Sequence, residues 1–258
     1  DKKAIEQKYF IENDWMFKVA LYGNTLDYHI LKKITNYPQT LNDIIDNKDI
    51  LIKGSGIKEK PVLDSFPFLI GATLLENEEV SQYFTDRNKG NIITEEDIYL
   101  QSGRRKVLFE GNQILLKAQT ENESDIVISY TEAPFVFKHD IFGISTTKDI
   151  NKLFEIYALL ISNLHTYYQY LSNCSWGIAT RPAIRLEEYL SFPYPTSTQE
   201  DKSKLINLIH RFLEPYFVFY KEFKFGEPYK DKTILTEINE TIYHLFKIEE
   251  YEKDIIDY

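Results

Sequence analysis

The sequence has 258 residues, 43% of them hydrophobic and 15% aromatic, so it is too long and too apolar for a disordered chain and can bury one large core or two small ones. It contains neither the ~20 consecutive apolar residues of a membrane helix nor the apolar run of a signal peptide, and we therefore expect a cytoplasmic protein. One cysteine, Cys174, and five scattered histidines offer no internal disulfide and no zinc-ligand spacing. The net charge of -10 argues against a nucleic-acid partner when the chain is taken as a whole.

The first elements are predicted to be a strand and two helices. Residues 15–22 are rich in aromatic and β-favouring types, which favours a buried strand. A helix follows, with Asn24 or Thr25 as its cap and apolar residues at helical spacing, and Pro38 marks its exit. A second short helix is predicted at 40–46.

Between residues 49 and 130 the apolar period shortens and turn residues recur, which is typical of a sheet. Pro134 is predicted to lie at an edge or a turn, since proline cannot donate a hydrogen bond within a sheet. We predict strands within 50–56, 106–111, 114–117, 126–130 and 135–137.

The remaining chain is predicted to be helical. Residues 147–171 form one long helix with a broad apolar face, capped by Thr146 or Thr147. After an irregular segment at 173–197, helices are predicted at 199–223, with a kink near Pro215, and at 232–256.

These elements predict an α+β fold in two parts. A mixed, sheet-containing domain spans residues 1–146, and a helical subdomain spans residues 147–258. Since helical periodicity continues to Tyr258 and the sequence does not begin with methionine, we expect this chain to be a piece of a longer protein.

No motif in the sequence predicts catalysis. G-S-G at 54–56 lacks the remainder of a phosphate-binding loop, so a strand-ending turn is the favoured interpretation. E-F-K at 222–224 has the form used by metal-dependent nucleases, but it falls in a predicted helix and is interpreted as a solvated helix end. Carboxylates that are neighbours in sequence do not face each other and are interpreted as solvent-facing. The 19 tyrosines and 17 phenylalanines are mostly assigned to the core. We therefore expect no metal site and no enzyme activity of the chain alone.

Charge is distributed unevenly along the sequence. Residues 1–102 carry 12 basic and 17 acidic groups, residues 103–185 carry 9 and 8, and residues 186–258 carry 9 and 15. Four of the six arginines lie in the middle block. From charge alone, the favoured interpretation is that these arginines only solvate a surface.

Six segments form an ordered pattern. They are W-M-F-K-V-A-L-Y-G-N-T-L-D-Y-H-I-L-K-K-I at 15–34, K-G-S-G-I at 53–57, R-R-K-V-L-F-E-G-N-Q-I-L-L-K at 104–117, the helical segment 153–171, F-P-Y-P at 192–195, and a closing helical segment at 238–255. In this order they resemble the C-terminal specificity region of adenine-specific DNA methyltransferases from restriction–modification systems. The resemblance covers most of the chain and points in particular to type IIG restriction enzymes and related phage-defence methylases.

The resemblance implies a target recognition domain that reads a DNA sequence and presents the target adenine to a catalytic domain. That domain needs an [Asn/Asp]-Pro-Pro-[Tyr/Phe] loop and a glycine-rich turn for S-adenosylmethionine, and this sequence has neither. We therefore expect no cofactor here, with S-adenosylmethionine bound by an upstream methyltransferase domain of the same protein. The parent is expected to be a DNA methyltransferase, with or without restriction endonuclease activity.

Double-stranded DNA is the expected partner. Phosphate contacts fix the register of such a domain, while Arg or Lys can hydrogen-bond guanine and Asn or Gln adenine. Taken individually, each candidate is better explained as a surface charge or a structural ion-pair partner than as a base reader. For the set as a whole, the prediction is that some of its members contact DNA. The candidates are Lys53, Lys58 and Lys60 near the glycine turn, Arg104, Arg105 and Lys106 before the predicted strand at Phe109, Lys117 and Gln119 after it, and Arg181 and Arg185 in the irregular segment.

The acidic helical part is expected to act as a spacer and to dock the methyltransferase domain through an exposed apolar patch on helix 147–171. Two alternatives stay open at this stage. A protein-interaction module of a defence complex predicts no salt-dependent affinity for duplex DNA. An enzyme whose site carries no recognisable motif predicts a deep pocket with titratable groups of perturbed pKa.

Overall fold

A computed structural model of the chain describes residues 6–13, 15–45, 50–58, 67–95, 106–119, 126–173, 183–222 and 232–257. Its helices are α1 Gln7–Glu12, α2 Met16–Tyr22, α3 Thr25–Ile34, α4 Leu41–Ile45, α5 Ile150–Leu160, α6 Asn163–Ser172, α7 Leu186–Leu190, α8 Gln199–Lys221, α9 Lys232–Phe246 and α10 Glu250–Ile256. Its strands are β1 Ile52–Ser55, β2 Thr73–Leu75, β3 Tyr83–Phe84, β4 Asn91–Ile92, β5 Asn112–Lys117, β6 Ile128–Thr131, β7 Val136–Phe137 and β8 Ile141–Thr146. This arrangement confirms the predicted α+β class.

A five-stranded sheet with the order β1-β8-β5-β6-β3 is the centre of the fold. Its pairs are antiparallel except for β3 and β6, which run parallel. Because β8 runs antiparallel to both neighbours, β1 and β5 run in the same direction and end at the same end of the sheet. We call this end, formed by Ser55, Lys117 and Ile141, the β5 end. A second sheet has the order β4-β2-β7.

The two faces of the five-stranded sheet pack into two different hydrophobic cores. Successive side chains of a strand point to opposite faces, and Ile114 and Leu116 of β5 join the helices while Leu115 between them joins the smaller sheet. The larger core contains residues from α2, α3 and α4 as well as from α5 to α10. It therefore draws on both sides of the proposed boundary at 146/147, and that division stays a prediction.

Met16–Tyr22 is a helix, and the strand predicted at 15–22 is wrong. Met16 and Val19 are buried while Phe17 and Leu21 are exposed, which is the one-sided burial of an amphipathic helix. The prediction rested on β-favouring residue types, whose preference is overridden by packing context.

The two short N-terminal helices are confirmed. Asn24 is the cap of α3, since its Oδ1 accepts a hydrogen bond of 2.7 Å from the backbone N–H of Leu26. Asp27 completes the cap, with a carboxylate that accepts the backbone N–H of Asn24 at 2.7 Å. The predicted helix at 40–46 is present as α4.

The predicted strand at 106–111 is also wrong, since Lys106–Phe109 is a 3-10 helix. Leu108 and Phe109 are both buried in the smaller core. A strand would have turned these adjacent side chains to opposite faces, whereas a helical turn brings both to one core. Gly111, with φ of +73°, then redirects the chain into β5.

The long helix predicted at 147–171 is two helices, α5 and α6. Ser162 breaks it, with extended backbone and a side-chain oxygen that accepts the N–H of His165 at 3.2 Å. Asp149 caps α5 in place of the predicted Thr146 or Thr147, since its Oδ1 accepts the N–H of Lys152 at 2.9 Å.

The last predicted helix, 232–256, is likewise two helices, α9 and α10, which are separated at Lys247, where φ is +55°. Pro215 lies inside α8, which ends at Lys221, and Glu222 is its cap. Phe223 and Lys224 lie outside the described residues. The segment predicted to be irregular, 173–197, contains α7.

Candidate nucleic-acid interface

The β5 end is assembled from strands that are distant in sequence. At the end of β1, Gly56 donates its backbone N–H to the carbonyl of Ile141 at 3.0 Å. The next residue, Ile57, forms a bridge with Lys138. Lys117, the last residue of β5, pairs with Ile141 from the other side of β8. Lys58 and Lys117 therefore flank the start of β8.

The segment that leads into α7 extends this end of the sheet. Gln119 forms a bridge with Ala183, and the backbone N–H of Ile184 donates to the carbonyl of Ala118 at 2.9 Å. The hydroxyl of Tyr189 in α7 donates to the carbonyl of Lys117 at 2.8 Å. These bonds place Arg185, the residue before α7, beside the end of β5. Four predicted residues are thus brought together here: Lys58, Lys117, Gln119 and Arg185.

Two glycines allow β1 to reach this position. A Cβ on Gly56 would lie 2.0 Å from the carbonyl oxygen of Phe137 and 2.2 Å from that of Lys138, and a Cβ on Gly54 would lie 3.0 Å from a methyl carbon of Leu108. At both positions a side chain would fit only if the neighbouring atoms moved. The G-S-G sequence therefore serves close packing at the end of a strand, in line with its interpretation as a structural element.

Both signs of charge are present at the β5 end. The carboxylate of Glu188 accepts the backbone N–H of Arg185 at 2.6 Å, and the backbone carbonyl of Asp140 accepts the N–H of Ala118 at 2.8 Å. Lys58 and Arg185 are exposed, whereas Lys117 is only 7% exposed. Within the described part of the chain, no carboxylate forms an ion pair with any of the three. Lys138 at the same end differs, because it pairs with Glu76 at 2.7 Å. Three cations without an ion pair among the described residues thus lie at the same end of the sheet as Gln119, which is also exposed.

The other predicted residues do not join this group. The ammonium of Lys53 donates to the backbone carbonyl of Asn42 at 3.3 Å, so its side chain extends towards α4. Lys106 lies at the opposite end of the sheet, before the start of β5, and pairs with Glu110 at 3.2 Å. The remaining predicted residues, Lys60, Arg104, Arg105 and Arg181, lie outside the described residues.

The helical surface that was expected to dock another domain is not apolar. Along α5 and α6 only Asn151 and Tyr170 are exposed, and the apolar face predicted at 147–171 is buried against the protein's own sheet and helices. The apolar spacing predicts this face correctly, but it does not show which other element of the fold covers it. Exposed apolar side chains lie instead on α1, α2 and the start of α3, where they comprise Ile11, Phe17, Leu21, Tyr22 and Leu26.

Three titratable groups with strongly shifted pKa values, those of Tyr157, Tyr189 and His165, are fully buried in the core. Burial raises the pKa of Tyr157 and of Tyr189, whose hydroxyls donate to backbone carbonyls inside the protein. Burial also lowers the pKa of the His165 imidazole to about 4. Among the residues that the structure describes, no group of three or more His, Cys, Asp or Glu side chains could hold a metal ion.

Comparison with known proteins gives distant structural similarity and no match in sequence. No protein-family model matches the sequence, and no curated protein matches it. The crystal structure of the HsdS subunit from Thermoanaerobacter tengcongensis aligns with 94% of this chain and 54% of that chain, at 9% sequence identity and a TM-score of 0.33. The chain thus spans about half the length of that subunit, and a TM-score of this size carries no inference about function. Within its described part, no helix is long and apolar enough to cross a membrane.

Proposed function

We propose that this chain is the sequence-reading module of a restriction–modification or phage-defence adenine methyltransferase. It would bind double-stranded DNA and present the target adenine to a methyltransferase domain that lies outside this sequence and binds S-adenosylmethionine. The ordered resemblance of six sequence segments to such specificity regions supports the proposal. The observation that carries it is the group formed at the β5 end by Gln119 and three cations without an ion pair among the described residues, Lys58, Lys117 and Arg185.

This group suits a DNA duplex in both charge and spacing. Since strands of a sheet lie about 4.8 Å apart, the ends of β1 and β5, with β8 between them, are separated by about 10 Å. Duplex DNA carries one negative charge per about 1.7 Å of axis, so a surface of this width faces several phosphates. The net charge of -10 does not oppose such binding if the cations are concentrated at the contact surface.

Each residue at the β5 end has a distinct proposed task. Lys58 and Lys117 would contact phosphates, because a lysine ammonium acts as a point charge. Arg185 could hydrogen-bond the O6 and N7 of a guanine, and the amide of Gln119 could hydrogen-bond the N6 and N7 of an adenine. Lys117 is held most firmly, since its backbone carbonyl accepts the hydroxyl of Tyr189 and the whole residue is only 7% exposed.

Selection from a randomised DNA duplex pool tests sequence reading directly. We expect the purified chain to retain duplexes at low salt and to enrich one short motif as the salt concentration rises. Retention without enrichment would contradict sequence reading. No retention even at low salt would contradict DNA binding by this chain and favour the protein-interaction alternative.

Neutralising the cations at the β5 end is expected to weaken DNA binding. The variant Lys58→Gln, Lys117→Gln, Arg185→Gln should lose roughly 30-fold to 100-fold in affinity at moderate salt. It should also reduce the slope of log affinity against log salt by about 2, since the lost phosphate contacts of Lys58 and Lys117 contribute about 0.9 each. Fluorescence anisotropy with a labelled duplex, measured over a range of salt concentrations, gives both numbers.

A matched control removes the same charge elsewhere. Lys204, Lys232 and Lys247 are exposed on the helical part of the protein, and their joint replacement with Gln should leave both the affinity and the salt slope close to those of the unmodified chain. Equal losses in the two triple variants would mean that net charge alone governs binding, and the proposed interface would then be wrong.

The alternative, a protein-interaction module without DNA reading, is favoured by the apolar surface on α1 and α2. Ile11 is 76% exposed, Leu21 is 74% exposed and Phe17 is 60% exposed. Apolar side chains grouped in this way commonly mark a protein contact. The DNA selection separates the two functions, because the alternative predicts no salt-dependent retention of duplex DNA at all.

A further inference from the structure

A cavity of about 600 Å³ lies away from the β5 end, between the edge strand β3 and the last turns of α8. Strand β3 runs parallel to β6, and both end on the side of the sheet opposite to Lys117. Residues 86–88, which follow β3, and Glu132, which follows β6, therefore form the rim of the cavity. Its volume is within the range of about 300–1,000 Å³ that is typical of small-molecule sites.

One wall of the cavity is aromatic. Phe217 and Tyr220 are three residues apart on α8, so they project from the same face of the helix. Phe84 from β3 lies between them, with its ring stacked on Tyr220 at 5.5 Å and edge-on to Phe217 at 5.5 Å. Phe84 is buried, and the aromatic wall is thereby anchored in the sheet. A rigid apolar wall of this kind suits a flat ring.

The opposite rim is polar and carries both signs of charge. Arg87 and Glu132 form an exposed ion pair of 3.4 Å, and Asn88 donates to the carboxylate of Asp86 at 3.1 Å. Exposed pairs of this sort contribute little to stability, so they can exchange their partners for a ligand at small cost. Lys221, at the end of α8, forms no ion pair with a carboxylate of the described residues. The rim thus offers hydrogen-bond donors and acceptors together with one uncompensated cation.

We propose that this cavity binds a nucleotide, whose base would stack on the aromatic wall and whose phosphate would lie near Lys221. Flat rings with donors and acceptors on one edge are the chemistry of nucleobases, and aromatic side chains together with a cation are the usual platform for an unstacked base. Asn88 and Asp86 would face the edge of the base. The inference does not depend on DNA reading at the β5 end, since the two sites share no residue.

The nucleotide has two sources with the same chemistry, namely a free mononucleotide or a base of single-stranded DNA. Isothermal titration of the full chain with AMP, adenosine and a short oligo-dA strand distinguishes them. We expect saturable binding, with AMP tighter than adenosine. Competition by the oligonucleotide at lower concentration than AMP would identify the strand as the source, and binding of AMP alone would identify the free nucleotide. Absence of saturable binding for all three at millimolar concentration would overturn the proposal.

Variants on the exposed rim test the placement without disturbing the core. Asn88→Ala is expected to weaken AMP and adenosine alike, by roughly fivefold to tenfold, whereas Lys221→Gln is expected to weaken AMP but not adenosine. Lys89→Gln is the matched control, since this exposed lysine is adjacent to Asn88 in sequence but does not line the cavity, and it should change neither affinity. Unchanged binding in both rim variants would place the ligand elsewhere and contradict the inference. The triple variant at the β5 end should bind AMP normally, so a failure of one proposal can be told from a failure of the other.

Discussion

Replacing Gly56 with alanine is expected to lower the free energy of unfolding by about 3 kcal/mol or more. The added Cβ would lie 2.0 Å and 2.2 Å from the carbonyl oxygens of Phe137 and Lys138. Both atoms belong to the backbone and cannot rotate away as a side chain could. Strand β1 would have to separate from the segment before β8, which breaks the hydrogen bond of 2.8 Å from the N–H of Ile57 to the carbonyl of Phe137.

Urea unfolding followed by circular dichroism measures this loss, and Gly71→Ala provides the control. Gly71 has φ of +81° with no atom near its Cβ position, so alanine there should cost only about 1 kcal/mol for the backbone conformation. If Gly56→Ala destabilised the protein no more than Gly71→Ala, the close approach of β1 to residues 137–138 would be contradicted. Because Lys58 is only two residues further on, Gly56→Ala should also weaken DNA binding even where the protein remains folded.

The fold could be predicted from sequence where the signal is local. Helix α3 is an example, since Asn24, Asp27 and the apolar spacing all lie within one short segment. Strand β8 carries no comparable signal, and it was missed although it pairs with both β1 and β5. It is buried on both faces and so lacks the alternation of apolar and polar residues that identifies a half-exposed strand. The residue types of α2 favour a strand, whereas its one-sided burial is that of a helix.

The candidate interface shows the same limit. Lys58, Lys117, Gln119 and Arg185 were each recognised as residue types that can contact DNA, but spacing along the chain does not show that they meet. Their convergence depends on non-local pairing, in which β8 joins the ends of β1 and β5 and Gln119 bridges Ala183. The sequence equally could not show that Lys53 extends towards α4 instead.

Acidification from pH 7 to pH 4 is expected to remove about 3 kcal/mol of stability through His165 alone. This imidazole is fully buried, and burial lowers its pKa from 6.5 to about 4. The unfolded chain therefore takes up a proton as the pH falls below about 6.5, while the folded protein resists protonation until about pH 4. The unfolded state binds more protons in this window, so stability rises with pH across it and is lost as pH falls, by about 1.4 kcal/mol for each unit of pKa shift.

The surroundings of His165 explain why its charged form is disfavoured. The ring is stacked on Tyr189 at 6.0 Å and lies edge-on to Phe192 at 5.2 Å, neither of which can neutralise a charge. The amide nitrogen of Gln169 lies 3.3 Å from Nε2 of His165 and also donates to the carbonyl of Glu188 at 2.8 Å. The bond to Glu188 orients the amide so that its NH2 group also faces Nε2 of His165. In the neutral imidazole Nε2 accepts this hydrogen bond, whereas in the charged form a proton on Nε2 would point at the NH2 donor.

The variant His165→Phe isolates this effect, because it keeps an aromatic ring against Tyr189 and Phe192 but cannot titrate. Unfolding free energies are measured by urea titration at intervals between pH 7 and pH 4, and that of the unmodified chain should fall by about 3 kcal/mol more than that of the variant. Carboxylates titrate in both proteins and cancel in the difference. The exposed His29 is the matched control, and His29→Phe should leave the pH dependence of the unmodified chain intact. Parallel pH profiles for the His165 variant and the unmodified chain would show that the imidazole is not held neutral by the fold. That result would contradict the burial of His165 just after the Ser162 cap of α6.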